Sequence, residues 1–194
     1  QGDIDLLFEE KRSAEIIEKL ASIGYVVRTT GKYLPYKTVM VKYVNERIIA
    51  LDLHFKIIQT GYVYLSGQSV LESRKKFKSW YIPKDEHLLL ILLVHNIVGK
   101  KIIQQKHLSV IRELLTLETK EFVLDFFLNS ELRIKLKHVL NEVSNNSDNI
   151  LIDEGMVKLL EEDLRKRTPF SMKIRCIYSH KAREFYLFPR APFY

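Results

Sequence analysis

The chain has 194 residues, 46% hydrophobic and 28% charged, with only seven glycines and five prolines; this excludes a disordered, low-complexity or collagen-like chain and suits one ordinary domain, or a small catalytic unit with a helical partner. A single cysteine, Cys176, excludes a disulfide framework and a cysteine zinc cage, so a reducing cytoplasm is the expected location. The net charge of +7 favours phosphate-bearing partners such as nucleotides or RNA, and the longest apolar run, residues 88–94, is far short of the roughly 20 residues of a membrane-spanning helix, so no membrane partner is expected.

Taken in chain order, Ile4-Asp5-Leu6-Leu7-Phe8 reads as a strand. A strand needs a neighbour, so a segment upstream of Gln1 is expected. Residues 13–23 are predicted as a helix. Ser13 suits its N-cap, Ile16, Ile17, Leu20 and Ile23 share one face, and Gly24 suits a left-handed close. Residues 25–30 read as a strand and 31–35 as a loop. Residues 39–43 and 47–57 read as a hairpin turning at Asn45-Glu46. In its second strand Ile48, Ala50, Asp52 and His54 share one face, and Ile49, Leu51, Leu53 and Phe55 the other.

Residues 61–79 have no clean period and contain the basic cluster Arg74-Lys75-Lys76-Phe77-Lys78. Pro83 marks a boundary. Residues 85–98 are apolar nearly all round, which predicts a buried helix. Further helices are predicted near 102–117, 119–128, 130–143 and 156–167, with a polar loop at 145–149. Residues 170–194 are basic and aromatic without a period; the aromatics read as packing inward, with base stacking as the alternative. The expected class is therefore α+β: a mixed sheet with flanking helices over 1–60, a connecting basic segment at 61–82, and a mostly helical region with a basic aromatic tail at 83–194.

The most informative segment for chemistry is Gly2-Asp3-Ile4-Asp5-Leu6-Leu7. In a strand, residues i and i+2 share a face, so Asp3 and Asp5 are expected to project together while Ile4 and Leu6 enter the apolar side. Two neighbouring carboxylates repel unless a proton or cation joins them. Magnesium takes hard oxygen ligands, often one or two carboxylates together with substrate phosphates. Asp52 is the third candidate, because a carboxylate placed mid-strand among apolar residues needs compensation, and a metal would supply it. An Asp-x-Asp pair alone is usually a solvated strand edge. The preceding glycine, the strand-then-helix pattern and the third acidic residue are what strengthen it.

Together with the helix end Ser22-Ile23-Gly24-Tyr25 and the strand Leu51-Asp52-Leu53-His54-Phe55, this segment resembles the DNA polymerase β-type nucleotidyltransferases. More narrowly it resembles a loosely characterised branch with Gly-Asp-Ile-Asp-Leu-Leu and Asp-Leu-His motifs. The match covers about residues 1–110, and the helix holding Leu92-Leu93-Val94-His95 also suits it. The resemblance implies a nucleotidyltransferase-like core in which Asp3 and Asp5 bind Mg²⁺, with Mn²⁺ as the alternative ion. It implies that Asp52 completes the triad and helps deprotonate or position an acceptor hydroxyl. The reaction implied is transfer of a nucleoside monophosphate from an NTP such as ATP, with release of pyrophosphate, to an RNA, protein or small-molecule acceptor. In that pattern a helix and a phosphate-holding element precede the carboxylate strand.

Gly2, Lys75 and Lys76 are the expected nucleotide-binding residues, the two lysines as grips for a triphosphate or an RNA backbone. His54, on the Asp52 face, is an accessory candidate. His87 and His95 lack the spacing of a zinc helix, and His95 is expected to be a hydrogen-bonded core residue. Cys176 receives no role. The alternatives are a non-catalytic nucleotide- or RNA-binding homologue, and the nucleotidyltransferase toxin of a toxin–antitoxin pair.

Overall fold

The computed structural model describes residues 3–29, 36–146 and 148–168, with Asp3 and Thr29 described by their backbone alone. Gly2, the predicted loop at 31–35, Cys176 and the basic aromatic tail at 170–194 lie outside the described residues. Four strands form the sheet that carries the predicted carboxylates on its first and last strands in chain order: β1 (Asp3–Leu7), β2 (Val26–Thr29), β3 (Lys37–Val44) and β4 (Arg47–His54). Their order in the sheet is β1-β4-β3-β2. β1 and β4 are parallel while the other pairs are antiparallel, so the sheet is mixed and the fold is α+β as expected.

A 3₁₀ turn at Glu10–Arg12 leads into α1 (Ser13–Ser22) between β1 and β2. Ser13 is the first residue of this helix, not its N-cap as expected, because the preceding turn feeds directly into it. Gly24, at φ 92°, takes the left-handed position that ends it. The apolar stripe of α1, Ile16, Ile17 and Leu20, covers Leu6, Met40, Leu51, Leu53 and Phe55 on one sheet face. Ile4 and Ile23, expected on those apolar faces, are half or more exposed at the margin.

The β3–β4 hairpin turns at Asn45-Glu46 as predicted, with φ values of 47° and 63°. Two consecutive left-handed residues give the turn whose twist matches that of the flanking strands. The strands differ in extent from the expectation. β3 begins at Lys37 and β4 stops at His54, and residues 57–59 join a second hairpin, β5 (Ile57–Gln59) with β6 (Tyr62–Leu65).

The segment without a clean period resolves into α2 (Gly67–Glu72), capped by Ser66 accepting from Ser69 N, and a hairpin of β7 (Lys75–Phe77) with β8 (Trp80–Ile82). The expected helix at 85–98 is α-helical only as α3 (Asp85–Val94) and continues as a π-helical segment, His95–Lys100. The expected helix at 102–117 splits. Its first residues form β9 (Ile102–Ile103), and α4 (Gln105–Leu114) follows. The β-branched pair Ile102-Ile103 finds a partner in β10 (Ile150–Leu151), which propensity near the helix could not foretell. α5 (Leu117–Phe126), α6 (Ser130–Asn145) and α7 (Glu154–Arg167) complete the described elements.

These helices enclose the main core, which contains Leu90, Leu93, Ile97, Phe127, Leu136 and Leu160. Tyr64, Leu65 and Val70, inside the segment expected to be a connector, are buried in it. Leu7 of β1 and Ile57 pack against it and so tie the carboxylate sheet to the helices. Among the described residues, no helix is long and apolar enough to cross a membrane.

The left-handed φ of Glu46 strains a residue that carries a Cβ. Glu46→Gly is expected to stabilise the chain by about 0.5–1 kcal/mol, because relief of that strain outweighs the added freedom of the unfolded chain. Urea unfolding would show it as a raised midpoint with an unchanged slope.

Candidate functional site

The strand register assembles the site. Asp5 stands opposite Asp52 across the parallel β1–β4 pair, and Leu7 stands opposite His54. Alternation then puts Asp5, Asp52 and His54 on the sheet face away from α1, since Leu6, Leu51 and Leu53 take the α1 face. One ligand atom from each of Asp5, Asp52 and His54 can be chosen so that all three lie within 4.8 Å of one another. Asp3 lies two residues before Asp5 in β1, in register with Ala50.

Like charges opposite one another on neighbouring strands destabilise a sheet. Two groups offset the repulsion. The Lys37 ammonium, from β3, forms an ion pair with Asp52 Oδ2. Lys37 stands opposite His54 in the β3–β4 register, so it reaches Asp52 diagonally on the same face. His54 Nε2 donates to Asp5 Oδ1 at 2.9 Å. That hydrogen bond is the main reason the Asp5 carboxyl sits below its ordinary value of 3.8; partial burial opposes it, and the charges of His54, Lys37 and His95 add to it. The anionic oxygen accepts, so the ring carries its proton on Nε2.

Burial is graded across the site. Asp52 forms the floor at 8% exposure, whereas the Asp5 side chain is 73% exposed and opens the site to solvent. His95 approaches from the helical side as the first residue of the π-helical segment, and it is half-buried. Its imidazolium is disfavoured first by burial and then by Lys100 and His107, while Asp5 favours it; the balance lies below the ordinary 6.5, so the ring is neutral at pH 7. The hydrogen-bonded core position expected of His95 belongs instead to its neighbour. Asn96 is fully buried, donates to Leu92 O at 2.7 Å and lies 2.8 Å from His107 Nδ1. π-Helical turns recur at functional sites, and His95 of this one interacts with Asp5 through charge. His87 lies elsewhere, 3.1 Å from Ser73 Oγ and edge-on to Phe122.

The two lysines expected to hold a nucleotide lie on the β7 strand. Lys75 is paired with Asp85, and Lys76 is exposed on β7. Among the described residues, the lysine ion-paired with Asp52 is Lys37. Carrying the alternation of β3 back from Val41 and Val39 would have found it; the predicted strand begins two residues too late. No such signal exists for His95, whose approach to Asp5 depends on the packing of the helices.

A cleft of about 370 Å³ lies past the carboxyl ends of β1 and β4, lined in part by Phe8, Phe55, Lys56, Ser66, Gly67 and Leu71. Such positions beyond parallel strand ends are common ligand sites. Its rim carries the ion pairs Lys11–Glu9 and Lys56–Glu10 at 2.9 and 3.1 Å.

The donor set fits a hard divalent ion: carboxylate oxygens from Asp5 and Asp52, with the His54 imidazole beside them orienting Asp5. Comparison with protein-family models, curated proteins and solved structures gives no match.

Removing the His54 donor should let the Asp5 carboxyl titrate at higher pH, since partial burial then acts with less opposition. Side-chain ¹³C NMR of Asp5 in the His54→Ala chain would measure this. The sign for stability follows: a depressed carboxyl stabilises the fold above its unfolded value and loses that contribution as pH falls through its folded value. The acid limb of the native stability profile should therefore flatten in the variant.

Proposed function

We propose that the chain is a metal-dependent nucleotidyltransferase of the DNA polymerase β type, moving a nucleoside monophosphate from an NTP to an acceptor hydroxyl and releasing pyrophosphate. The observation that carries this reading is the opposition of Asp5 and Asp52 across a parallel strand pair, with His54 beside them. In the reaction, the acceptor oxygen bonds to the α-phosphorus as the bond from that phosphorus to the leaving pyrophosphate breaks. The hydroxyl proton passes to a nearby base.

Asp5, Asp52 and, from the same strand as Asp5, Asp3 would hold Mg²⁺ or Mn²⁺. When bound, the ion supplies positive charge against the triphosphate and the departing pyrophosphate. His54 fixes one oxygen of Asp5 and leaves the other free to ligate. Asp52, at the floor, positions or deprotonates the acceptor hydroxyl. Lys37 has a flexible stem and a compact charge. It can exchange its hold on Asp52 for an incoming phosphate, which frees the carboxylate when substrate arrives. An enzyme with this substrate would work where NTPs are abundant, in the cytoplasm.

The Lys37–Asp52 ion pair also favours a second reading, a non-catalytic nucleotide- or RNA-binding homologue. With an ammonium already beside it, Asp52 has no charge left for an ion to offset.

The test is transfer of label from α-³²P NTPs, with pyrophosphate release followed in parallel. Asp5→Asn and Asp52→Asn should each lower the rate on the order of 10²-fold or more. Labelling that survives Asp5→Asn would exclude the mechanism. Lys37→Met separates the two readings through Mn²⁺ binding measured by electron paramagnetic resonance. The enzyme reading expects Mn²⁺ to bind the unchanged chain, with tighter Mn²⁺ and weaker NTP binding in the variant; the second reading expects no Mn²⁺ binding while Lys37 is present.

A further inference from the structure

Residues 74–84 carry Arg74, Lys75, Lys76, Lys78 and Lys84 and contain no Asp or Glu. They form the β7–β8 hairpin, which turns at Lys78 with φ 55°. Lys76 faces Tyr81 across it, and Phe77 faces Trp80. Phe77, Trp80 and Tyr81 are 53%, 67% and 62% exposed. Holding three large rings in water gains the fold nothing, and strands of three residues are marginal on their own. The Arg74 guanidinium lies 4.9 Å from the Tyr81 ring centre, and Lys78 Nζ lies 5.6 Å from that of Phe77. Lys75 is neutralised by Asp85. Arg74, Lys76 and Lys78 form no ion pair with a carboxylate among the described residues.

We propose that this hairpin is a docking surface for single-stranded RNA. Alternation puts Tyr81, Lys76 and Arg74 on one face of the hairpin and Phe77 and Trp80 on the other, so the RNA strand crosses the tip at Lys78, its phosphates meeting Arg74, Lys76 and Lys78 while one base stacks on the Phe77–Trp80 pair and another on Tyr81. Rings interleaved with cations are what a single strand requires, because bases and phosphates alternate along it. A duplex hides the faces of its bases, whereas RNA loops and ends expose them. A lipid surface fits poorly: the tip of the hairpin is Lys78, so a charge would enter the hydrocarbon first. An apolar protein groove would strip water from three unpaired cations. The net charge of +7 adds long-range attraction for a polyanion. This surface is built from residues apart from the carboxylate site, and its occupancy needs no metal and no turnover.

Trp80 is the chain's single tryptophan, so its emission reports directly on the hairpin. Titrating the full chain with single-stranded oligouridylate should quench that emission to saturation, with an affinity that falls as salt rises. The double variant Phe77→Ala/Tyr81→Ala keeps the probe and should bind about tenfold or more weakly, the loss expected for stacked bases at about 1–3 kcal/mol each. A second variant, Lys76→Gln/Lys78→Gln, should reduce the slope of log affinity against log salt by about 1.4, roughly 0.7 for each phosphate no longer neutralised. Circular dichroism would confirm that both variants fold. Absence of quenching by oligouridylate, a response to anionic vesicles alone, or unchanged affinity in both variants would overturn the proposal. None of these results depends on nucleotidyl transfer, so the two proposals fail separately.

Discussion

The constraint that organises this molecule is the enforced nearness of Asp5 and Asp52. Two unit charges about 5 Å apart repel by about 1 kcal/mol in water and about 3–4 kcal/mol at an effective dielectric near 20. The exposed position of Asp5 keeps its share toward the lower figure. The apolar pattern nonetheless holds them together. Leu6 on β1 and Leu51 and Leu53 on β4 must all face α1 to bury their side chains. A one-residue slip of β1 would send Leu6 to the other face, so the register is fixed by the core and the carboxylates have no choice of neighbour. Lys37, His54 and the approach of His95 are arranged around that imposed charge.

The faces of the β3–β4 hairpin were legible because alternation over eight residues leaves little ambiguity, and the Asn45-Glu46 turn was legible because both residues tolerate a left-handed backbone better than the β-branched residues around them. The carboxylate pair was legible as a suspicion only. That Asp5 and Asp52 oppose one another follows from a parallel pairing between strands separated by a helix and two further strands, and no local pattern records it. Lys37 was hidden by a strand boundary set at Val39. The β5–β6 and β7–β8 hairpins were hidden by their length, since strands of three or four residues cannot establish a period. The change from α to π at His95 was invisible for another reason. It arises where Asn96 is buried and joined to His107, a contact between helices rather than a property of either one. The same holds for β9, whose partner lies more than forty residues away.

The charge geography bears on what the sheet face can accept. The chain as a whole is cationic, yet this face presents Asp5 and Asp52 with Lys37 as the ion-paired cation. Beyond about 8 Å, screening at physiological ionic strength removes most of the pull that distant lysines exert. An approaching polyphosphate therefore meets the local balance of Asp5, Asp52 and Lys37, which is one negative charge in excess. His95, neutral at pH 7, does not correct it. A bare triphosphate would be repelled, and so would any strongly anionic acceptor. A monovalent ion would only cancel the excess. A divalent ion accompanying the triphosphate would turn that balance to one positive charge while Lys37 stays on Asp52, and would just cancel the two carboxylates once Lys37 turned to phosphate; in the proposed function Asp5 and Asp52 would hold that ion.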